Sequence, residues 1–406
     1  MKKVAIISSC SLPVPAVKGG AVETLIENIV KKNEDYNDMD LHVISLYDKC
    51  AFEQSNKYRY SKFIYFKKNK VIKNIDLFIT NILKLIKADK SISSRNYLWK
   101  IVVLRKVIEH LYKNEYDAII IENTIYLFNI FKDKKILNKY NGKYFFHVHN
   151  NLNKVGYEKA VLKTKKFIAI SNYIKTNIGD VLGKSIKESI EVLHNGVDTK
   201  LFNNRLDNDE KKRMLSSLGI RSGENIVLFT GRITPEKGIK ELLMAFNLIN
   251  RENITLLIVG SSYFGNGTLS EFESEIINLI KTKNKKVIFT GYVHNNEIWK
   301  YYQLATVAVL PSIWDEPLGL TMIESKCSGI PLITTESGGI PETVNNKHAI
   351  ILRRDNNLVK NIKVAIEEVI DNIEVWKENA NIAKLEAIKE NSLENYYKGF
   401  VDIIMN

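Results

Sequence analysis

Two glutamates, Glu316 and Glu324, stand with seven residues between them in PSIWDEPLGLTMIESKCSGIPLITTESGGIPE, the stretch from Pro311 to Glu342. The apolar runs TVAVL (Thr306–Leu310) and PLITT (Pro331–Thr335) read as strands. Glu316 therefore falls in a loop and Glu324 on the helix that follows. Arg232 and Lys237 lie in GRITPEKG, between the apolar strand NIVLFTG and the helical run KELLMAFNLI. In a parallel α/β sheet such loops leave the carboxyl ends of strands, where ligands bind. Carboxylates accept hydrogen bonds from hydroxyls, while an Arg fork, a Lys charge and free helix N–H groups hold phosphate oxygens. Together these groups suit a polyol diphosphate. Each alone has an ordinary explanation, since helical glutamates often lie on solvated faces and GRITPEKG would also serve as a surface turn.

The elements that must position these groups alternate between strand and helix. VAIISS (Val4–Ser9), LHVISLY (Leu41–Tyr47), YDAIIIEN (Tyr116–Asn123), YFFHVHN (Tyr144–Asn150), KFIAIS (Lys166–Ser171) and SIEVLHNG (Ser189–Gly196) read as strands of a first half. NIVLFTG, ITLLIVG, KVIFTGY, VAVLPS and PLITTES repeat the scheme in a second. Their apolar runs are continuous, the pattern of strands covered by helices on both faces. The fold class is α/β, with two facing doubly wound Rossmann-like domains. The polar stretch Asn203–Asn225 is expected to contain the linker, giving an N-terminal domain over 1–202 and a C-terminal one over 203–384. His149 ends the strand YFFHVHN, and His147 is expected to point to the opposite side of it. Gly19 and Gly20 would let backbone approach a ligand. Glu23 suits the first turn of the following helix, against its dipole.

At 406 residues the chain is long for one core and comfortable for two domains. Cys10, Cys50 and Cys327 are too few and too scattered for a disulfide framework, and a cytosolic location is the natural expectation. No apolar run spans a bilayer, and VAII in MKKVAIISSCSLPVP is short for a signal peptide. Residues 1–200 carry 35 Lys and Arg against 20 Asp and Glu, a balance of +15, and the remainder carries 24 against 26. A basic half suggests an anionic partner such as a phosphorylated acceptor, a membrane surface or nucleic acid. A Lys-rich composition with solvated surfaces would also produce it. KYRYSKFIYFKKNK is followed by VIKNIDLFITNILKLIKADK, whose Ile72, Ile75, Ile79, Ile82, Leu83 and Ile86 form an apolar helical stripe. Such stripes commonly join a core, and interfacial membrane contact over residues 57–90 is the sharper alternative. Asp38–Asp40 and Asp207–Asp209 are Asp-x-Asp triplets, but neither follows a buried strand, and no metal requirement is expected.

The E-x7-E block is the last of eight ordered segments. It is preceded by KGGAVETLIENIV (Lys18–Val30), HVHNN (His147–Asn151), AISNYIK (Ala169–Lys175), VLHNGVDTKLF (Val192–Phe202), LFTGRITPEKGI (Leu228–Ile239), LLIVG (Leu256–Gly260) and IFTGYV (Ile288–Val293). This series resembles the retaining glycosyltransferases of the GT-B fold, the large E-x7-E family called glycosyl transferases group 1. The resemblance implies that Arg232 and Lys237 bind the donor diphosphate and stabilise the leaving group. It assigns Glu316 to hydroxyls of the transferred sugar, Glu324 to the ribose, and the N–H groups of Leu318, Gly319 and Leu320 to sugar and phosphate oxygens. His149 would contact the donor sugar, Gly19 and Gly20 its phosphates, and Gly260, Tyr292 and Val293 the base. A closing helix over 385–406 would cross back to the first domain.

The expected activity is transfer of a hexose, from UDP by family frequency and with GDP open, to a glycan acceptor in surface polysaccharide synthesis. The acceptor would be lipid-linked at the inner membrane face, reached by peripheral contact with an anionic membrane. The sugar nucleotide is a substrate, so no cofactor is implied, and the sugar-binding motifs leave no place for nucleic acid. A GT-B fold epimerase or hydrolase, or a non-catalytic glycan-binding relative, are the alternatives.

Overall fold

The computed structural model describes residues 1–85, 96–153, 158–261, 270–281 and 285–406. It divides into two compact units. The first comprises Met1–Ile170, Ile174–Leu193 and Tyr397–Asn406; the second comprises Ser171–Tyr173 and His194–Tyr396.

The first unit is built on β1 (Lys2–Ile7), β2 (Met39–Leu46), β3 (Ser61–Phe66), β4 (Ala118–Glu122), β5 (Tyr144–Val148), β6 (Lys166–Ala169) and β7 (Ile190–Val192). These pair in parallel in the order β3-β2-β1-β4-β5-β6-β7. Val4–Ile7 and Ala118–Ile121 are buried throughout, as their unbroken apolar runs require. The chain runs outward from β1 to β3, then returns to place β4 on the other side of β1. That reversal opens a crevice at the carboxyl ends of β1 and β4.

The second unit repeats the plan with β8 (Asn225–Thr230), β9 (Ile254–Val259), β10 (Val287–Phe289), β11 (Val307–Leu310), β12 (Leu332–Thr335) and β13 (Ala349–Leu352). Their parallel order is β10-β9-β8-β11-β12-β13, so the corresponding reversal lies between β8 and β11. The two loops singled out by their charges, GRITPEKG and PSIWDEPLGL, leave those two strands. Two such Rossmann-like units make the GT-B fold.

Three features correct the sequence reading. The division between units falls at Leu193/His194, not within Asn203–Asn225. Much of that polar stretch is the helix Asn208–Ser217, which has no buried residue and is capped by Asp207. A solvated helix and a linker have the same composition. The closing helix is Leu393–Met405, separated at Asn391–Ser392 from the helix Ile373–Glu390, so it starts later than residue 385. Its buried Leu393, Tyr396, Tyr397, Phe400 and Ile404 follow helical spacing. From Tyr397 onward it belongs to the first unit, where Tyr397 donates to Asn33 Oδ1 at 3.0 Å and Lys2 donates to the carbonyl of Met405 at 2.7 Å. Finally, β3 and β13 were not expected as strands. Both are edge strands and half solvated; β3 opens on the polar Ser61 and Lys62, and β13 is a four-residue run set between His348 and Arg353.

Candidate active site

In the second unit, backbone contacts that only glycine permits bring the charged loops together. Gly238 has φ 70°, and a Cβ there would overlap the carbonyl oxygen of Pro311, so the GRITPEKG turn rests on the start of the acidic loop. Behind that loop, a Cβ at Gly338 or Gly339 would overlap the carbonyls of Glu316 and Pro317. The Glu316 N–H donates to Ser337 Oγ at 3.3 Å. Glu316 is therefore buried and fixed at both its backbone and its carboxylate. Its Oε1 accepts from Lys237 Nζ and from Ser312 Oγ, the latter at 2.9 Å. Lys237 Nζ also lies 5.9 Å from the ring centre of Trp314. Arg232 is half exposed and sits 3.9 Å from Glu236. A cation held by one carboxylate and a second facing solvent can both receive a diphosphate.

Glu324 lies on the helix Leu320–Ser328, as its spacing from Glu316 implies. Gly319 occupies the N-cap without a side-chain cap, leaving first-turn N–H groups for phosphate or sugar oxygens. Leu318 and Gly319 are buried, and Leu320 is half-buried. Glu324 Oε2 meets the hydroxyl of Tyr302 at 3.4 Å, and that hydroxyl also contacts Thr230 Oγ1 at 2.7 Å. Burial pushes the Glu324 carboxyl up to about 7, against the opposing hydrogen bond from Tyr302.

A raised carboxyl favours folding in its neutral form. That contribution is present below the ordinary value near 4.5 and is lost as pH rises through about 7. Glu324→Gln is neutral at every pH. We expect the variant to be more stable than the parent at pH 8, by about 1–3 kcal/mol, with a smaller difference at pH 5. Thermal melts at both values check this, and an equal difference at both would contradict it.

Gly260 follows β9 with φ 145°, donates to the carbonyl of Gly291 at 3.0 Å, and would overlap the carbonyl of Gly231 if it carried a Cβ. The turns after β8, β9 and β10 thus meet backbone to backbone. Tyr292 stands beside this junction with its ring 5.2 Å from that of His294, and Val293 follows it, half-buried.

In the first unit, the crevice beside β1 and β4 collects buried polar groups. Gly19 and Gly20, at φ 72° and 105°, lead into the helix Ala21–Tyr36. Glu23 in its first turn is buried, and burial raises its carboxyl to about 7. The helix dipole expected to favour its charged form is outweighed. Glu122, the last residue of β4, faces two imidazoles, one on the neighbouring β5 and one just past its end. Its Oε1 is 3.2 Å from His147 Nδ1 and its Oε2 is 2.8 Å from His149 Nε2.

The expectation for His147 is corrected here. The two histidine rings lie on the same side, 4.0 Å apart, because residues i and i+2 of a strand share a face. Glu122, His147 and His149 are, among the described residues, a group whose ligand atoms lie within 4.8 Å of one another. Their spacing is that of hydrogen bonds between each imidazole nitrogen and the carboxylate. Asp40, by contrast, is tied to His42 and Lys62, and Asp207 is the helix cap already described.

Sequence reasoning had not singled out Ser312, Tyr302 or Glu122. Glu122 left a readable signal, an acid closing the apolar strand AIIIE. Ser312 reaches Glu316 from four residues earlier in the same loop, whereas Tyr302 reaches Glu324 only through the fold.

Comparison with known proteins finds likenesses in fold and in sequence. Over the whole length of both chains the fold matches the crystal structure of Anabaena Alr3699/HepE in complex with UDP-glucose, with a TM-score of 0.75 and 17% identity. Residues 210–391, most of the second unit, match the family model for glycosyl transferases group 1. An uncharacterized glycosyltransferase of Methanocaldococcus jannaschii is 28% identical over 181 residues, 44% of each chain. The lipopolysaccharide 1,2-N-acetylglucosaminetransferase of Salmonella typhimurium is 25% identical over 235 residues, 57% of each. The chain spans about half the length of the first curated relatives it matches.

Proposed function

We propose that this chain is a metal-independent retaining glycosyltransferase that moves a hexose from UDP to a glycan acceptor. The observation that carries the reading is the Lys237–Glu316–Ser312 cluster, set with Arg232 at the reversal between β8 and β11. Cations fixed beside an uncapped helix N-terminus stabilise a departing diphosphate, and that stabilisation is the main demand of such a transfer. Glu316 holds hydroxyls of the transferred sugar, Glu324 the ribose, and His149 of the first unit contacts the donor sugar. The backbone at Gly19 and Gly20 serves the phosphates; Gly260, Tyr292 and Val293 serve the base. UDP is supported by the UDP-glucose complex of the neighbour in fold, and a polysaccharide acceptor by the lipopolysaccharide enzyme among the relatives. Incubation with labelled UDP-hexoses, with and without glycan acceptors and with EDTA present, tests the proposal. Acceptor-dependent transfer supports it; turnover without acceptor points to an epimerase or hydrolase, and binding without turnover to a non-catalytic protein.

A lipid-linked acceptor is supported by the helix Lys70–Leu85. Val71, Ile75 and Phe78, spaced i, i+4, i+7, are exposed, as is Leu77, with exposed Lys67, Lys70 and Lys73 nearby. Of the stripe read from sequence, Ile75 is exposed and Ile72 and Ile79 are half-buried, while the side chains of Ile82, Leu83 and Ile86 lie outside the described residues. No helix among the described residues is long and apolar enough to cross a membrane. We expect sedimentation with anionic vesicles that weakens as salt rises, since exposed charges are screened over about 10 Å at 0.1 M. Reversing Lys67, Lys70 and Lys73 to Glu should abolish it and spare activity on a soluble acceptor. Lys68 is left in place because it pairs at 2.8 Å with buried Asp76. No binding to anionic or neutral vesicles would favour a soluble acceptor.

A further inference from the structure

We propose that Glu122 is the positioning residue of His149: its carboxylate accepts the Nε2–H of His149 and the Nδ1–H of His147 together, leaving His149 Nδ1 as the acceptor offered to substrate. The proposal rests on the reading of His149 as a donor-sugar contact and adds what sets its protonation and direction.

Three observations carry it. Glu122 is 1% exposed and its two oxygens are divided between the two rings, one each. An ionised carboxylate only accepts hydrogen bonds, so the nitrogen facing it must carry the proton. That condition places a proton on Nε2 of His149 and on Nδ1 of His147. Second, the next residue holds the backbone of the same imidazole. Asn123, at φ 48°, accepts from the His149 N–H through Oδ1 at 2.9 Å, and its own N–H donates to the carbonyl of His147 at 2.8 Å. Ring and main chain of His149 are therefore both set by the end of β4. Third, the protonation states agree with the geometry. Burial would raise the Glu122 carboxyl, yet the two histidines bring it down to about 2, and burial together with His147 lowers His149 to about 4. Near neutral pH the pair is a carboxylate and a neutral imidazole. A buried hydrogen bond of this kind holds a ring in one tautomer, the role a carboxylate plays toward histidine in many active sites.

The test combines spectroscopy with kinetics on the full chain. With 15N-labelled histidine, the His149 signals are identified by their loss in His149→Asn. In the parent at pH 7.5 they should report the Nε2–H tautomer. Glu122→Gln replaces one acceptor oxygen with a donor NH2 group, and should move His149 toward the Nδ1–H form. Turnover should then fall at least tenfold while the donor KM stays within about threefold, with cooperative melting showing that the variant is folded. Glu122→Asp, which keeps the carboxylate, should restore the parent tautomer and part of the turnover.

A folded Glu122→Gln variant with parental tautomer overturns the proposal, whether or not its activity is lost. If the variant does not fold, the parent spectrum still decides: a His149 in the Nδ1–H or doubly protonated form overturns it. Displacement of both protons by added Zn2+ at stoichiometric concentration would likewise overturn it in favour of a metal site. Failure of the His149 reading itself looks different, because His149→Ala would then keep parental turnover while the tautomer result still stood.

Discussion

Lys237→Ala is expected to lose sugar transfer by roughly a hundredfold or more while the protein stays folded, and Arg232→Ala to lose a comparable factor. The departing diphosphate gains charge as the bond to the sugar breaks. A cation already fixed beside it stabilises that change without reorganising, an effect of about 3 kcal/mol for other preorganised charge stabilisers. Lys237 is the better fixed of the two, held by Glu316 and lying near Trp314. Arg232, half exposed beside Glu236, has more freedom to move onto a phosphate. Removing Lys237 leaves Glu316 with only the Ser312 hydroxyl among its side-chain partners described here, so some stability is lost as well. Steady-state rates alongside thermal melts separate the two effects. Near-parental turnover in a folded Lys237→Ala variant would remove the basis for assigning the diphosphate to this loop.

Glu316→Gln is expected to cut turnover at least tenfold and leave UDP affinity unchanged or higher. The carboxylate is assigned to hydroxyls of the transferred sugar, whose shape and charge change at the transition state, so its loss appears in kcat. The same carboxylate accepts from Lys237. An incoming diphosphate must compete for that cation, and an amide competes less strongly than a charge. Glu324→Gln should behave in the opposite way, weakening UDP through the ribose and sparing kcat. Calorimetric titration with UDP, set beside kcat for each variant, distinguishes them. A strong loss of UDP affinity in Glu316→Gln with none in Glu324→Gln would mean that the two roles are reversed.

Buried parallel strands announce themselves as unbroken apolar runs, so the central strands of both sheets and the loops leaving them were legible in the sequence. Glu316 in a loop and Glu324 on a helix followed from the same reading. Of the edge strands, β7 and β10 were legible in SIEVLHNG and KVIFTGY, while β3 and β13 were not. In β3, Lys62 pairs with Asp40 at the surface, and half-solvated strands of this kind carry too mixed a pattern. The unit boundary was hidden by Asn208–Ser217, whose polarity comes from solvation of a whole helix. The pairing of Glu122 with His147 and His149 was out of reach for another reason. It depends on β4 lying beside β5, and strand order is a property of the topology that no local spacing records. Tyr302 at Glu324 is the same case, a contact made by an adjacent helix across 22 positions of sequence.

The reaction proposed for this chain is transfer with retention from a nucleoside-diphosphate hexose. Its most direct test is proton NMR of the freshly formed glycoside, made from UDP-α-hexose and an acceptor by the full-length chain in the presence of EDTA. The product is expected to show the anomeric coupling of the α linkage and to form at a rate that EDTA does not change. A β-linked product, or none until a divalent cation is restored, would contradict it.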